Sequence, residues 1–97
     1  MKIKMLKEFS KWFKEQKDHI LKIKILKRLD QLEYGNFGDY KSIGDGVSEL
    51  RIDYGPGYRI YYTIRSKTIV ILLCAGDKSN QKRDIEKARE LCKGVKI

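Results

Sequence analysis

Apolar positions along this chain of 97 residues recur with two different periods. In the first third the period is helical. Phe9, Trp12 and Phe13 stand at i, i+3 and i+4, and Leu21, Ile25, Leu29 and Leu32 mark one face of a second segment, widened by Ile23 and Leu26. Lys22, Lys24, Lys27 and Arg28 line the opposite side. Asp18 is placed to cap the second helix, and Gly35 to stop it with the residue type that best tolerates a left-handed backbone. Only a few polar residues, from Glu15 to Asp18, separate the two segments, so they form a hairpin. Ahead of them Lys2-Ile3-Lys4-Met5 alternates as a short strand.

Residues 35–46 read as a loop, with Gly35, Gly38, Gly44 and Gly46 set among Asn36, Asp39, Ser42 and Asp45. A loop of that length suggests a working role. From Val47 the period changes to two, and three strands follow at about 47–54, 57–65 and 68–76. The last of them, Ile69-Val70-Ile71-Leu72-Leu73-Cys74, is nearly all apolar, as an interior strand covered on both faces should be. A final helix at about 80–93 buries Ile85, Ala88, Leu91 and Cys92 and starts from Ser79 or Asn80. The expected fold is α+β, in the order β-α-α-β-β-β-α, with a small, mainly antiparallel sheet packed under the helix hairpin and a C-terminal helix. One domain spans 1–97.

Register decides which side chains meet. A tip at Gly55-Pro56-Gly57 sets Ile52 opposite Ile60 and Leu50 opposite Tyr62, which keeps the apolar set on one face. A turn at Ser66-Lys67 then sets Ile64, Tyr62 and Ile60 opposite Ile69, Ile71 and Leu73, under the helices. The second face gathers Arg51, Arg59, Tyr61, Arg65 and, past Cys74, Lys78, with Asp53 as the only acid. Arginine offers a planar fork for phosphate oxygens and an exposed tyrosine a surface for a base. The competing reading is a wet sheet face on which Arg51 and Asp53 merely pair. Val70 and Leu72 fall on that otherwise polar face.

Composition narrows the chemistry. The 22 Lys+Arg against 13 Asp+Glu give a formal charge of +9, and the excess sits at the two helical ends. Such a surface favours polyanions, or is simply a solvated lysine-rich surface. No apolar run is long enough to span a membrane, and the alternating N-terminus is unlike a signal peptide, so a soluble cytoplasmic protein is expected. Cys74 and Cys92 make neither a metal spacing nor a disulfide framework. His19 is the only histidine, which excludes a two-imidazole nuclease. The glycine-rich segment lacks the Gly-Lys-Ser/Thr ending of a P-loop, and Asp39 and Asp45 lack EF-hand spacing. No cofactor is expected, and any reaction is expected to be metal-free.

Four segments carry a family likeness: Leu32-Glu33-Tyr34-Gly35-Asn36-Phe37-Gly38-Asp39, Gly46-Val47-Ser48-Glu49-Leu50-Arg51-Ile52, Tyr54-Gly55-Pro56-Gly57-Tyr58-Arg59-Ile60-Tyr61 and Cys74-Ala75-Gly76-Asp77-Lys78-Ser79. In order and spacing they resemble the HigB-like branch of the RelE/ParE toxins, including phage-derived Gp49-like and addiction-module killer proteins. The resemblance implies a RelE-like fold and a toxin that cuts mRNA in the ribosomal A site and is held inactive by a cognate antitoxin, a HigA-like helix-turn-helix protein. It places catalytic roles on Arg59, in the Tyr-Arg strand motif, and on Lys78, after the last strand's glycine. Lys41 and Arg51 are further basic candidates. Relatives often place a tyrosine or histidine where this chain has Asp84, flanked by Lys82 and Arg83.

The expected chemistry is attack by a 2′-hydroxyl on the adjacent phosphate, with positive charge stabilising the phosphorane. Arg59 suits that charge, Lys78 suits charge or proton donation, and Asp84 or Tyr61 would handle a proton. Arg51, Lys41, Arg65, Lys82 and Arg83 would hold RNA. The alternative is a ParE-like toxin that blocks DNA gyrase without cutting RNA. Val70, Leu72 and the exposed sides of the basic helices are the expected landing sites for the antitoxin.

Overall fold

The computed structural model describes residues 1–96. Five strands form one mixed sheet: β1 (Lys2–Met5), β2 (Tyr40–Gly44), β3 (Val47–Ile52), β4 (Tyr58–Arg65) and β5 (Ile69–Asp77). Their spatial order is β1-β5-β4-β3-β2, with β1 parallel to β5 and every other pair antiparallel. The helices are α1 (Lys7–Glu15), α2 (His19–Glu33) and α3 (Gln81–Lys93), the last preceded by a 3-10 turn at Lys78–Asn80. The α+β class and the helix hairpin agree with the sequence pattern.

The strand count does not. The segment read as a loop contains β2, which pairs with β3 through Tyr40↔Leu50, Lys41↔Glu49 and Ser42↔Ser48. Its turn is Asp45-Gly46, both with positive φ (56° and 77°), and Asp-Gly is a strong tight-hairpin signal. The exposed, polar Tyr40-Lys41-Ser42 carries no buried apolar alternation to announce a strand.

Two registers also differ from expectation. The β3–β4 connection takes five residues, Asp53 to Gly57, with Gly55 and Gly57 at positive φ, so Leu50 pairs with Ile60 and Ile52 with Tyr58. That is a shift of two, which leaves every side chain on its expected face. The β4–β5 turn takes three residues, Ser66 to Thr68, so Ile64 pairs with Val70 and Tyr62 with Leu72; a bulge then sets Tyr61 against Cys74 and Arg59 against Gly76. A slip of one inverts β5 as far as Leu73, and the bulge restores the expected face from Cys74 onward. Val70 and Leu72 are therefore fully buried under the hairpin, not landing sites on a polar face, while Ile71 and Leu73 turn to α3. Ile64, expected in the core, is exposed.

The sheet is thus covered on both sides. Phe9, Leu21, Ile25, Leu29 and Leu32 of the hairpin meet Leu50, Ile52, Ile60, Tyr62, Val70 and Leu72 on one face. On the other, Ala88 and Cys92 of α3 meet Val47, Tyr61, Ile71, Leu73 and Cys74. Each fully buried large side chain contributes about 1.5–3 kcal/mol.

Polar ties fix the layers. Asp18 Oδ1 accepts from the Ile20 and Leu21 amides at 2.9 and 3.2 Å, the expected cap, and Oδ2 accepts from the Tyr54 hydroxyl at 2.7 Å. The hydrogen bond from Tyr54 holds the Asp18 carboxyl below the usual carboxylate range. Arg28 donates to the carbonyls of Phe37, Asp39 and Arg51, binding the segment before β2 to β3. Neither Ser79 nor Asn80 caps α3 through its side chain; instead Asp77 caps the 3-10 turn by accepting from the Ser79 amide at 2.8 Å.

Candidate functional site

Because α3 begins only after the Lys78–Asn80 turn, it leaves one end of its sheet face open. There β3 and β4 carry Glu49, Arg51 and Arg59 on a common side, paired as Glu49↔Tyr61 and Arg51↔Arg59. Two arginines facing each other across a ladder repel, and Glu49 neutralises them: its Oε2 lies 2.7 Å from Arg59 Nε and 3.6 Å from Arg51 Nε. Glu49 is 1% exposed, and Gln81 Nε2 approaches its Oε1 at 3.5 Å. The expectation of Asp53 as the only acid on this face was incomplete. The alternation Glu49-x-Arg51 was the signal for it.

Arg59, Arg51 and Lys78 line one pocket of 290 Å³, with Asp39 and Asp53 on its wall. The chain reversal at Gly57 makes this possible: the Lys78 amide donates to the Gly57 carbonyl at 2.9 Å, and a Cβ on Gly57 would stand 3.9 Å from both Arg59 Nη1 and Lys78 Cβ. Glu49 ties up Arg59 through Nε, leaving the terminal nitrogens for the pocket. The Arg51 Nε is buried without a hydrogen bond. Three cations and two carboxylates around a shallow hollow suit a phosphodiester with a proton acceptor beside it. Asp39 had no sequence signal, because its place depends on Arg28 gathering the backbone of residues 37–39.

The other expected site residues lie elsewhere. Tyr61 is fully buried beneath α3, so it offers no stacking surface. Its hydroxyl finds no hydrogen-bond partner, and burial, helped by the charges of Glu49 and Asp84, pushes its pKa well above the tyrosine range. Arg65 stands at the far end of β4 and donates to the Cys92 carbonyl at 3.2 Å, closing the C-terminal end of α3. Lys41 is exposed opposite Glu49 and lies outside the pocket, as do the exposed Lys82 and Arg83.

Asp84 does reach the sheet. Its carboxylate lies against Gly76, where a Cβ would come within 2.0 Å of Oδ2, so this position accepts only glycine while Asp84 keeps its place. Gly76 is the cross-strand partner of Arg59. Even so, Asp84 opens into a separate cleft between α1 and α3, on the other side of the Lys78–Asn80 turn. Burial raises its pKa, with Arg83 and Lys87 opposing. Cys74, buried beside it, is pushed up to about 12 by burial, which makes it a packing thiol and no nucleophile at neutral pH.

No helix among the described residues is long and apolar enough to cross a membrane. A protein of Haemophilus influenzae, described only as "Uncharacterized protein", is 47% identical over 91 residues, which cover 94% of this chain and 92% of that protein. The family "Phage derived protein Gp49-like (DUF891)" matches residues 7–93. That span takes in the hairpin, the basic pocket, the Asp84 cleft and all of α3, and the chain accordingly belongs to the Gp49-like family of phage-derived proteins.

Proposed function

We propose that this chain is the toxin of a type II toxin–antitoxin pair: a RelE-like fold of the HigB-like branch that cuts mRNA on the ribosome and halts translation in the cytoplasm. The Gp49-like family is related to RelE-type toxins, which gives the reading its frame. The observation that carries it is the meeting of Arg59, Arg51 and Lys78 in one pocket.

In the proposed reaction the RNA 2′-oxygen bonds to the adjacent phosphorus and the bond to the 5′-oxygen breaks, leaving a cyclic phosphate and a free 5′-hydroxyl. Arg59, held by Glu49, meets the negative charge that grows on the phosphorane. Asp39 or Asp53 takes the 2′-hydroxyl proton, in place of Asp84 and Tyr61, and Lys78 gives one to the departing oxygen. The antitoxin would seat an acidic, apolar segment on α2, where Ile20, Ile23 and Leu26 are each more than half exposed beside Lys22, Lys24 and Lys27. The test is primer extension on mRNA translated by purified ribosomes. Wild type should cut, and Arg59→Ala should lower the rate by about 10²–10³-fold. Uncut message, or equal cutting by the variant, would end the proposal.

The aspartate at position 84, where RelE relatives often carry a tyrosine or histidine, favours a second reading, a ParE-like inhibitor of DNA gyrase. Inhibition of supercoiling without mRNA cleavage would select it.

A further inference from the structure

The cleft that receives Asp84 has no part in the chemistry above. It measures 630 Å³, ample for a nucleotide, and runs between α1 and the first half of α3. On its floor the Asp84 side chain is more than nine-tenths buried, and its ion pair to Arg83, at 3.8 Å, is too long to be a hydrogen bond. The forces acting on that carboxylate are burial and the charges of Arg83, Lys87 and Asp77, with no hydrogen-bond donor among them. Its oxygens are not among the sealed, unpartnered atoms, so a carboxylate seated on a glycine that leaves room for it stays open to a ligand that brings donors. On the wall stands Trp12, its ring backed by Phe9 and Tyr58 at centroid distances of 6.1 and 6.2 Å. Lys11 and Lys87 stand on opposite helices across the opening.

We propose that this cleft is a guanine subsite: the base lies along the Trp12 indole and donates its N1–H and N2–H to the two Asp84 oxygens, while Lys11 and Lys87 meet its phosphate. Guanine is the base with two adjacent donors on its Watson–Crick edge, matching a carboxylate's two acceptors; adenine and cytosine offer one amino group, and uracil flanks its donor with repelling carbonyls. Stacking on an aromatic ring with edge hydrogen bonds is how unpaired bases are held. Glu8 and Glu15 in the same cleft disfavour an acidic peptide. The inference rests on the nuclease reading for the origin of the base, a nucleotide neighbouring the phosphate gripped by Arg59 and Lys78 across the 3-10 turn.

Titration of the isotope-labelled full chain with GMP, IMP, AMP and CMP, followed by NMR at the Trp12 indole N–H and the Gly76 amide, tests it without ribosomes. GMP should shift both signals saturably, and IMP, which lacks the N2 amino group, should bind about tenfold more weakly. Asp84→Asn should weaken GMP by a similar factor, with its thermal melt reporting that the fold is intact. Equal binding of all four nucleotides, GMP binding indifferent to Asp84→Asn, or no shift at Trp12 would overturn the subsite. Guanine binding beside a failed cleavage assay would sink the nuclease reading alone; cleavage without guanine binding would sink the subsite alone.

Discussion

The two faces of the sheet come from the same strands and the same alternation, yet they end up as different materials. The hairpin face is roofed by two helices and carries a continuous apolar core from Phe9 to Leu72. The opposite face is roofed by α3 alone, which covers Val47, Tyr61, Ile71, Leu73 and Cys74, reaches Glu49 with Gln81 and stops short of Arg51 and Arg59. Strand alternation therefore says which side a residue takes, while helix length says whether that side is wet. The charged pocket exists because α3 is delayed by the three residues of the 3-10 turn, and the turn in turn carries Lys78 to the pocket.

The sharpest way to break this contrast is to cut matching holes in the two roofs. Leu72 and Leu73 are neighbours on β5, both fully buried, one facing each way. Leu72→Ala, under two interlocked helices, should cost about 4 kcal/mol, because the cavity cannot collapse. Leu73→Ala should cost about 2.5 kcal/mol, since a single helix can settle into the space. Urea unfolding of the two variants measures the difference. Equal costs would mean that both roofs are equally rigid and that the comparison fails.

How far the sequence reaches follows the same line. Helical periodicity located α1 and α2, with Asp18 as cap, because those signals are local. Faces on β3 and β4 were legible because a shift of two residues conserves them. The face of β5 was not, since an unbroken run from Ile69 to Cys74 has no alternation to oppose a slip, and the extra turn residue Thr68 decided the matter. The meeting of Arg59 and Lys78 matched the parity expectation only because the bulge at Tyr61/Tyr62 cancelled that slip, and the family resemblance had independently placed a basic residue after the last strand's glycine. The exclusion of Tyr61 and Asp84 was not, because both depend on where α3 lies across the sheet.

An effect smaller than that of Leu72→Ala should come from the seam between the dry and charged zones. Glu49 is buried against Arg59, and removing one member of such a pair leaves the other uncompensated. Glu49→Ala should cost about 3 kcal/mol, whereas Glu49→Gln, which keeps the shape and an acceptor, should cost about half of that. Chemical denaturation gives both numbers, and RNA cleavage by the glutamine variant adds a second readout. If Glu49 serves to orient Arg59, that variant loses cleavage out of proportion to its stability. If the two losses run in parallel, Glu49 is a structural plug.

The least costly change should be at Asp84, where it sharpens the comparison by asking what a partly open roof tolerates. Its folded-state pKa lies above the ordinary 3.8 because burial disfavours the carboxylate. The folded chain therefore holds this proton more tightly than the unfolded chain does. As pH rises from the unfolded value through the raised folded value, Asp84 subtracts from stability, and below both values it is neutral. Asp84→Asn removes that term. Its melting temperature should match wild type near pH 3, then exceed it at pH 7 by an amount equivalent to about 1 kcal/mol, the scale of one unpaired buried group. A variant less stable at pH 7 than at pH 3, relative to wild type, would mean that the carboxylate finds a partner within the fold. The open end of the α3 face would then be as self-sufficient as the hairpin side, with no vacancy for a ligand to fill.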